Sequence, residues 1–157
     1  MKFSIAAVAS LVSAVTAATL PSAFTLVADG GKTVLTDGEN LFIGGNTTQY
    51  EIAILQSGAN GAVTFTSKTE SPTGWQNLYI VQNEVEPVGL TRPHSGAIPE
   101  GATINGFGVN DDGYFTNGDK AWFATDAGDA PAKKVYWYGA HNAEFGGANL
   151  WVKEFKQ

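Results

Sequence analysis

The chain has 157 residues with nine Lys and Arg against 15 Asp and Glu, a formal net charge of −6, and no cysteine. Nucleic acids and anionic lipid surfaces attract clustered Lys and Arg and repel an acidic protein, so both are poor candidate partners. The lack of thiols excludes disulfide bonds, cysteine nucleophiles and thiol redox switches.

Residues 1–17 have the pattern of a secretory signal peptide. Lys2 provides a positive start, residues 3–12 are apolar apart from two serines, and residues 15–17 form a small-residue cleavage pattern. The apolar run is too short to span a bilayer. We therefore expect a secreted protein without membrane insertion, in which residues 18–157 form one domain that must fold without disulfides.

Beyond residue 18 the chain alternates turn residues with short apolar runs. Gly recurs beside Asp or Asn, as at Asp37-Gly38 and Asn60-Gly61, and these residue types accept the positive φ angles of tight turns. Apolar residues at every second position between the turns predict strands with one buried face. In chain order these positions are Phe24/Leu26/Ala28, Tyr50/Ile52/Ile54, Val63/Phe65, Leu78/Ile80, Val135/Trp137 and Leu150/Val152.

Four further short strands are expected, at residues 33–36, 41–43, 114–116 and 120–125. No window of a dozen residues keeps a 3.6-residue apolar period free of Gly or Pro, which limits helix to a turn or two at residues 129–134 or 140–145. Ten or more short strands without long helices between them predict an all-β fold, a single-domain antiparallel β-barrel or sandwich.

Residues 83–105 contain Pro87, Pro93 and Pro99 and lack sustained alternation. They are predicted to form either one long ordered loop or short edge strands interrupted by prolines. Because long ordered loops often carry function, this segment is the first candidate for a partner-binding surface. Its candidate contact residues are Arg92, Pro93, His94, Ser95 and Pro99.

The chain has one Asn-x-Ser/Thr sequon, Asn46-Thr47-Thr48, directly after two glycines. A turn of this kind is exposed, and Asn46 is therefore a candidate for N-glycosylation in a secreted eukaryotic protein.

Four tryptophans are candidates for stacking on sugar rings. In residues 135–138 and 150–152 both alternating faces carry large apolar groups, so a second layer must cover one face or an aromatic side chain must be exposed. The alternative is a core that uses tryptophan from both sides. The four residues are Trp75, Trp122, Trp137 and Trp151.

Support for catalysis is weak. His94 and His141 are the only histidines, and no Gly-x-Ser-x-Gly nucleophile elbow accompanies them, which favours structural roles over a Ser-His-Asp triad. Fifteen acidic residues provide carboxylate pairs by chance alone, so a glycoside hydrolase remains only a third alternative. The expected protein is not an enzyme.

No metal or cofactor is expected. His141 and Glu144 have a spacing that suits zinc on a helix, but neighbouring glycines disfavour the helix and a third ligand is missing. The acidic residues around Asn110 could supply oxygen ligands for calcium, although the EF-hand pattern is absent and turn chemistry explains them equally well. Calcium therefore remains an open alternative.

Several segments resemble one family of secreted fungal proteins. Residues 24–28 (Phe-Thr-Leu-Val-Ala), 41–45 (Leu-Phe-Ile-Gly-Gly) and 48–50 (Thr-Gln-Tyr) resemble the opening of proteins related to the phialide-associated cell wall protein. Residues 88–101 (Val-Gly-Leu-Thr-Arg-Pro-His-Ser-Gly-Ala-Ile-Pro-Glu-Gly) resemble the central motif of that family, and Gly106-Phe107 follow in the same order.

The resemblance implies an extracellular fungal protein of the hyphal wall or the plant apoplast that triggers plant defence and hypersensitive cell death, with no catalytic residue. Relatives carry an Ala-Cys-Pro-like segment where this chain has Ala121-Trp122-Phe123-Ala124, so features that depend on disulfides do not carry over. A non-enzymatic elicitor that binds a plant cell-surface receptor is the first expectation. A protein that binds wall glycan through exposed aromatic side chains is the alternative.

Overall fold

The computed structural model describes residues 19–68, 74–126, 128–140 and 144–156, and the predicted signal peptide lies outside these ranges. The described residues contain 18 short strands and a 3₁₀ helix at Ala59–Gly61. The strands are β1 Ala23–Ala28, β2 Lys32–Thr33, β3 Leu35–Thr36, β4 Leu41–Gly44, β5 Glu51–Ile52, β6 Leu55–Ser57, β7 Val63–Thr66, β8 Trp75–Val81, β9 Val85–Pro87, β10 Gly89–Leu90, β11 Ala102–Thr103, β12 Phe107–Val109, β13 Phe115–Asn117, β14 Phe123–Asp126, β15 Ala132–Lys134, β16 Tyr136–Tyr138, β17 Phe145–Gly147 and β18 Leu150–Glu154.

The strands pair antiparallel in four sheets. The largest has the order β10-β8-β7-β6-β1-β18, with β2 also paired to β1 and β11 also paired to β8. Two four-stranded sheets have the orders β17-β14-β16-β9 and β15-β4-β3-β5, and β12 pairs with β13. The all-β, antiparallel prediction is confirmed. The pairing closes no barrel within the described residues, and the separate sheets fit the sandwich alternative better.

The first and last strands are neighbours in the largest sheet. Strand β1 pairs with β18 over five residues, from Phe24 opposite Glu154 to Ala28 opposite Leu150. Phe24, Leu26 and Ala28 are buried on one face of β1, as the two-residue alternation predicts. Residues almost the whole chain length apart therefore share one part of the core.

Aromatic rings fill the centre of the core. Phe115 stacks on Phe107 and on Phe123, with ring centroids 5.3 and 5.4 Å apart. Trp137 meets the ring of Phe123 edge-on at 5.0 Å. Such ring pairs add to the burial of apolar area, and they join the β12-β13 pair to the sheet that contains β14 and β16.

One predicted strand has the opposite phase from that expected. The alternation at Tyr50, Ile52 and Ile54 predicted that these side chains are buried, but Ile52 is 41% exposed, while Ala53 and Leu55 are fully buried. The strand is interrupted between β5 and β6, where the Ala53 N–H donates to the Val34 carbonyl oxygen. Residues 52–55 are all apolar, so either alternate set could face the core, and Ala53 with Leu55 take the buried positions.

The sequence allowed at most a turn or two of helix at residues 129–134 or 140–145, and the described residues of these two segments contain none. Residues 132–134 form β15, which pairs with β4, and Phe145 begins β17. Residues 141–143, including His141, lie outside the described ranges. The proline-containing segment 83–105 follows its second predicted form, since β9, β10 and β11 interrupt it and leave the exposed loop 91–101.

Candidate functional site: the loop and groove beside strand β8

The candidate partner-binding residues lie on the exposed loop between β10 and β11. Arg92, Pro93, His94 and Pro99 are exposed, and Ser95 is half-buried. Ile98 on the same loop is 38% exposed. The loop therefore presents both apolar and charged side chains to solvent.

Backbone hydrogen bonds attach the start of this loop to β8. Thr91 N–H donates to the Asn77 carbonyl oxygen at 2.9 Å, and Asn77 N–H donates to Thr91 Oγ1 at 2.8 Å. Three residues after Thr91, His94 N–H donates to the Trp75 carbonyl oxygen at 3.0 Å. The loop thus continues the antiparallel pairing of β10 with β8 in an irregular form, which restricts its conformation.

The buried amide of Gln76 connects the loop to the turn at residues 37–40. Its Nε2 donates to the carbonyl oxygens of Gly38 and Thr91, both at 2.7 Å. The turn itself is formed by Asp37, whose Oδ1 accepts from Glu39 N–H and from the next backbone N–H, both at 2.9 Å. Gln76 is only 4% exposed, so its two hydrogen bonds fix the loop and the turn relative to each other.

His94 has a constrained backbone and ring. Its φ angle is +61°, a left-handed value that few residues other than Gly adopt. The ring lies edge-on to Trp75 at 6.1 Å and occupies the space beside Gly74, where an added Cβ would lie 2.5 Å from His94 Nε2. Ser95 Oγ accepts a hydrogen bond from Ala97 N–H at 3.2 Å. These contacts of His94 and Ser95 help to fix the conformation of the loop.

A groove of about 670 Å³ separates the turn from the loop. Its volume falls within the range of about 300–1,000 Å³ that is usual for ligand pockets. Its lining residues are Asp37, Gly38, Glu39, Asn40, Ser67, Gly74, Gln76, Tyr79, Leu90, Thr91, Arg92, Pro93, Ala97, Ile98 and Pro99. Three of the five predicted contact residues, Arg92, Pro93 and Pro99, line it.

Tyr79 lines this groove, and its surroundings raise the pKa of its phenol. Partial burial raises the pKa of the Tyr79 phenol above 10.0, and the negative charges of Glu39 and Glu86 raise it further. Both effects disfavour the phenolate. The phenol therefore remains a neutral hydrogen-bonding group in an acidic part of the surface.

The structure separates the four candidate tryptophans. Trp75 is 44% exposed and beside the loop, whereas Trp137 is only 3% exposed and donates its Nε1–H to the Gln82 carbonyl oxygen at 3.2 Å. The glycan-stacking prediction is wrong for Trp137, because no face of its ring is open. Trp122 and Trp151 are half-buried, Trp122 beneath the ammonium of Lys120 and Trp151 against an aromatic ring of the β12-β13 connection.

An aromatic cluster that the sequence did not single out lies on the sheet containing β16. The ring of Phe145 lies 4.7 Å from that of Tyr136 and 5.9 Å from that of Tyr138. All three side chains are half-buried. The alternation of Tyr136, Trp137 and Tyr138 was visible in the sequence, but no strand was predicted at Phe145–Gly147.

The Asn46 sequon is exposed in a tight turn. Asn46 Oδ1 accepts hydrogen bonds from Thr48 N–H at 3.0 Å and from the Thr48 hydroxyl at 2.5 Å. The pairing of the acceptor Asn with the hydroxyl of its own sequon and the exposure of both side chains are compatible with glycosylation, which stays a prediction.

The acidic residues around Asn110 have a structural explanation. Asn110 Oδ1 accepts from Asp112 N–H and Tyr114 N–H, both at 3.0 Å, and this closes a turn. Within the described residues, no three His, Asp or Glu side chains are grouped as a metal site would require. Of the possible zinc pair, His141 lies outside those residues.

Comparisons of the chain with protein-family models, curated proteins and solved structures give no match. No helix in the described part of the chain has the length and apolarity to cross a membrane. The loop, the turn and the groove between them are therefore interpreted from their own geometry.

Proposed function

We propose that the protein is a secreted, non-enzymatic fungal elicitor that is bound by a plant cell-surface partner through the loop at residues 91–101. The observation that carries the proposal is an exposed loop fixed by buried polar groups. Arg92, Pro93, Ile98 and Pro99 face solvent, while buried Gln76 and the backbone of β8 restrict the loop beneath them. A loop ordered before binding loses less conformational entropy when a partner engages it.

The biological part of the proposal rests on the resemblance of residues 88–101 to the central motif of the secreted fungal family. The same residues form the fixed loop and one wall of the groove. Secretion is supported by the signal-like pattern of residues 1–17. A plant defence response to the folded protein is the expected consequence of partner binding, and no bond-breaking step is required.

Infiltration of leaves with the purified protein tests this proposal. Residues 18–157 in native form should cause localised cell death, and a heat-denatured sample should not. A variant with Pro93→Ala, His94→Ala and Pro99→Ala should lose most of the response while keeping its circular dichroism spectrum. A control with alanine at exposed Asp119, Lys120 and Asp129 should remain active. Full activity of the folded loop variant would remove the loop from the proposal.

One observation favours a second candidate, binding to wall glycan. Trp75 leaves 44% of its surface exposed, and an exposed indole can stack on a sugar ring. Retention of the protein on insoluble chitin or β-glucan, lost in Trp75→Ala and kept in Trp151→Ala, would support this candidate. Failure to bind any insoluble wall polysaccharide would remove it.

A further inference from the structure

The groove beside β8 has two walls of different chemistry. The loop side is mainly apolar, with Pro93, Ile98 and Pro99 among its lining residues beside one base, Arg92, and Ile98 is 38% exposed. The opposite side is the turn that carries Asp37 and Glu39, both exposed. A ligand that fills the groove must therefore match an aliphatic surface on one side and carboxylates on the other.

The charge of the lining is negative. Among the lining residues Arg92 is the single base, and it lies on the loop wall. A smaller cavity of about 210 Å³ shares Asp37 with the groove and adds Glu51. The negative charge also acts on Tyr79, which lines the groove, because Glu39 contributes to raising the pKa of its phenol. Charge complementarity therefore favours a cationic ligand.

The carboxylate of Glu39 is available to such a ligand. Within the residues that the structure describes, Glu39 has no ion-pair or side-chain hydrogen-bond partner, and the ion pair between Lys120 and Asp119 lies elsewhere. An ammonium or guanidinium group entering the groove would therefore displace no existing protein partner from Glu39. The cationic group needs only to enter the open groove to reach the Glu39 carboxylate.

We propose that this groove binds an extended, basic peptide segment of a partner protein. Side chains of an extended chain point alternately to opposite sides, so alternating apolar and basic residues meet the loop wall and the Asp37–Glu39 wall at once. The inference rests on the proposed function, since it defines the partner chemistry at the same loop. A glucosamine oligomer is the competing cation, but the exposed ring of Trp75 is not among the lining residues, so no open indole offers it a stacking surface.

Fluorescence anisotropy with labelled hexapeptides tests the proposal. Residues 18–157 should bind Lys-Val-Lys-Val-Lys-Val at least about tenfold more tightly than either Glu-Val-Glu-Val-Glu-Val or Lys-Ser-Lys-Ser-Lys-Ser. Glu39→Gln and Ile98→Ser should each weaken this binding by about three- to fivefold. The matched controls are Glu84→Gln and Ile52→Ser, which change an exposed carboxylate and a 41% exposed isoleucine outside the groove and should leave binding unchanged.

Three results would overturn the proposal. Equal binding of the Lys-Val and Glu-Val peptides removes the charge argument, and equal binding of the Lys-Val and Lys-Ser peptides removes the apolar wall. Binding of glucosamine hexamer that Glu39→Gln weakens, without peptide binding, assigns the groove to a glycan. The leaf assay separates this inference from the elicitor proposal, because cell death that requires the loop can persist when no basic peptide binds.

Discussion

Gly89 shows how tightly the ring of Tyr79, one of the residues that line the groove, is packed against its neighbours. It is buried, and a Cβ added there would lie 2.4 Å from Tyr79 Cζ and 2.5 Å from its hydroxyl oxygen. Gly89→Ala must therefore displace the ring, and we expect the free energy of unfolding to fall by about 1–3 kcal/mol. Urea denaturation measures this change. Gly96→Ala is the control, because nothing lies within 4 Å of its added Cβ, and its effect should stay within about 0.5 kcal/mol.

Tyr79 gives a second prediction, on pH. Burial is the largest cause of its raised pKa, followed by the charges of Glu39 and Glu86. Because the folded-state pKa exceeds the unfolded value near 10.0, the neutral phenol stabilises the fold fully below that pH, and this contribution is lost as the pH rises through the folded-state pKa.

Ultraviolet titration of the phenolates measures this effect, and Tyr79→Phe identifies the component that belongs to Tyr79. Glu39→Gln should shift that component to lower pH, since it removes one negative charge, whereas Glu84→Gln should leave it in place. An unchanged titration in Glu39→Gln would mean that Glu39 does not act on the phenol, and it would weaken the case for an acidic groove.

At the scale of elements, Gln76 joins the loop to the turn through two hydrogen bonds. Gln76→Met keeps the length of the side chain but leaves the buried Thr91 carbonyl oxygen without this donor. We expect a loss of about 1–3 kcal/mol of stability and faster amide hydrogen exchange at Thr91 and His94. Gln56→Met, at an exposed position of β6, is the control. Unchanged exchange at both amides would show that the β8 backbone alone fixes the loop.

The sequence predicted most strands because their alternation is local. Phe24 with Leu26 and Leu78 with Ile80 are buried as their spacing indicates. The pattern failed at Ile52, which is 41% exposed, while Ala53 and Leu55 are buried. Residues 52–55 are all apolar, and two-residue periodicity alone does not decide which alternate set of them faces the core.

The groove could be only half predicted. The proline-containing loop was recognisable from composition. Asp37 and Glu39, however, precede its first residue, Thr91, by 54 and 52 residues, and Tyr79 precedes it by 12. The pairing of β8 with β10, the hydrogen bonds of Gln76 and the hydrogen bond from Leu90 N–H to the Glu39 carbonyl oxygen bring them together. The Asp-Gly pair at residues 37 and 38 predicts a turn. It does not indicate that this turn lies beside the loop at residues 91–101.

At the scale of the whole molecule, composition and turn spacing determine the class of fold, while strand order depends on long-range pairs. Short strands separated by Gly-rich turns predict an all-β protein whether the sheet closes or remains layered. Whether the sheet closes or remains layered depends on long-range strand pairs such as β1 with β18 and β9 with β16. Neither pair has a local turn between its strands, so neither was predictable from the sequence.

The pairing of β1 with β18 makes the C-terminal strand essential to the whole fold. Deletion of residues 150–157 removes buried Leu150, the five residues of β18 that pair with β1, and the hydrogen bond from Phe155 N–H to the Ala23 carbonyl oxygen. Because a domain has only about 5–15 kcal/mol of net stability, we expect this deletion to abolish cooperative unfolding in urea. Deletion of residues 156–157 keeps every one of these contacts and should retain the cooperative transition. A cooperative transition in the longer deletion would mean that the remaining sheets fold without β18. The pairing of β1 with β18 would then not be required for the fold.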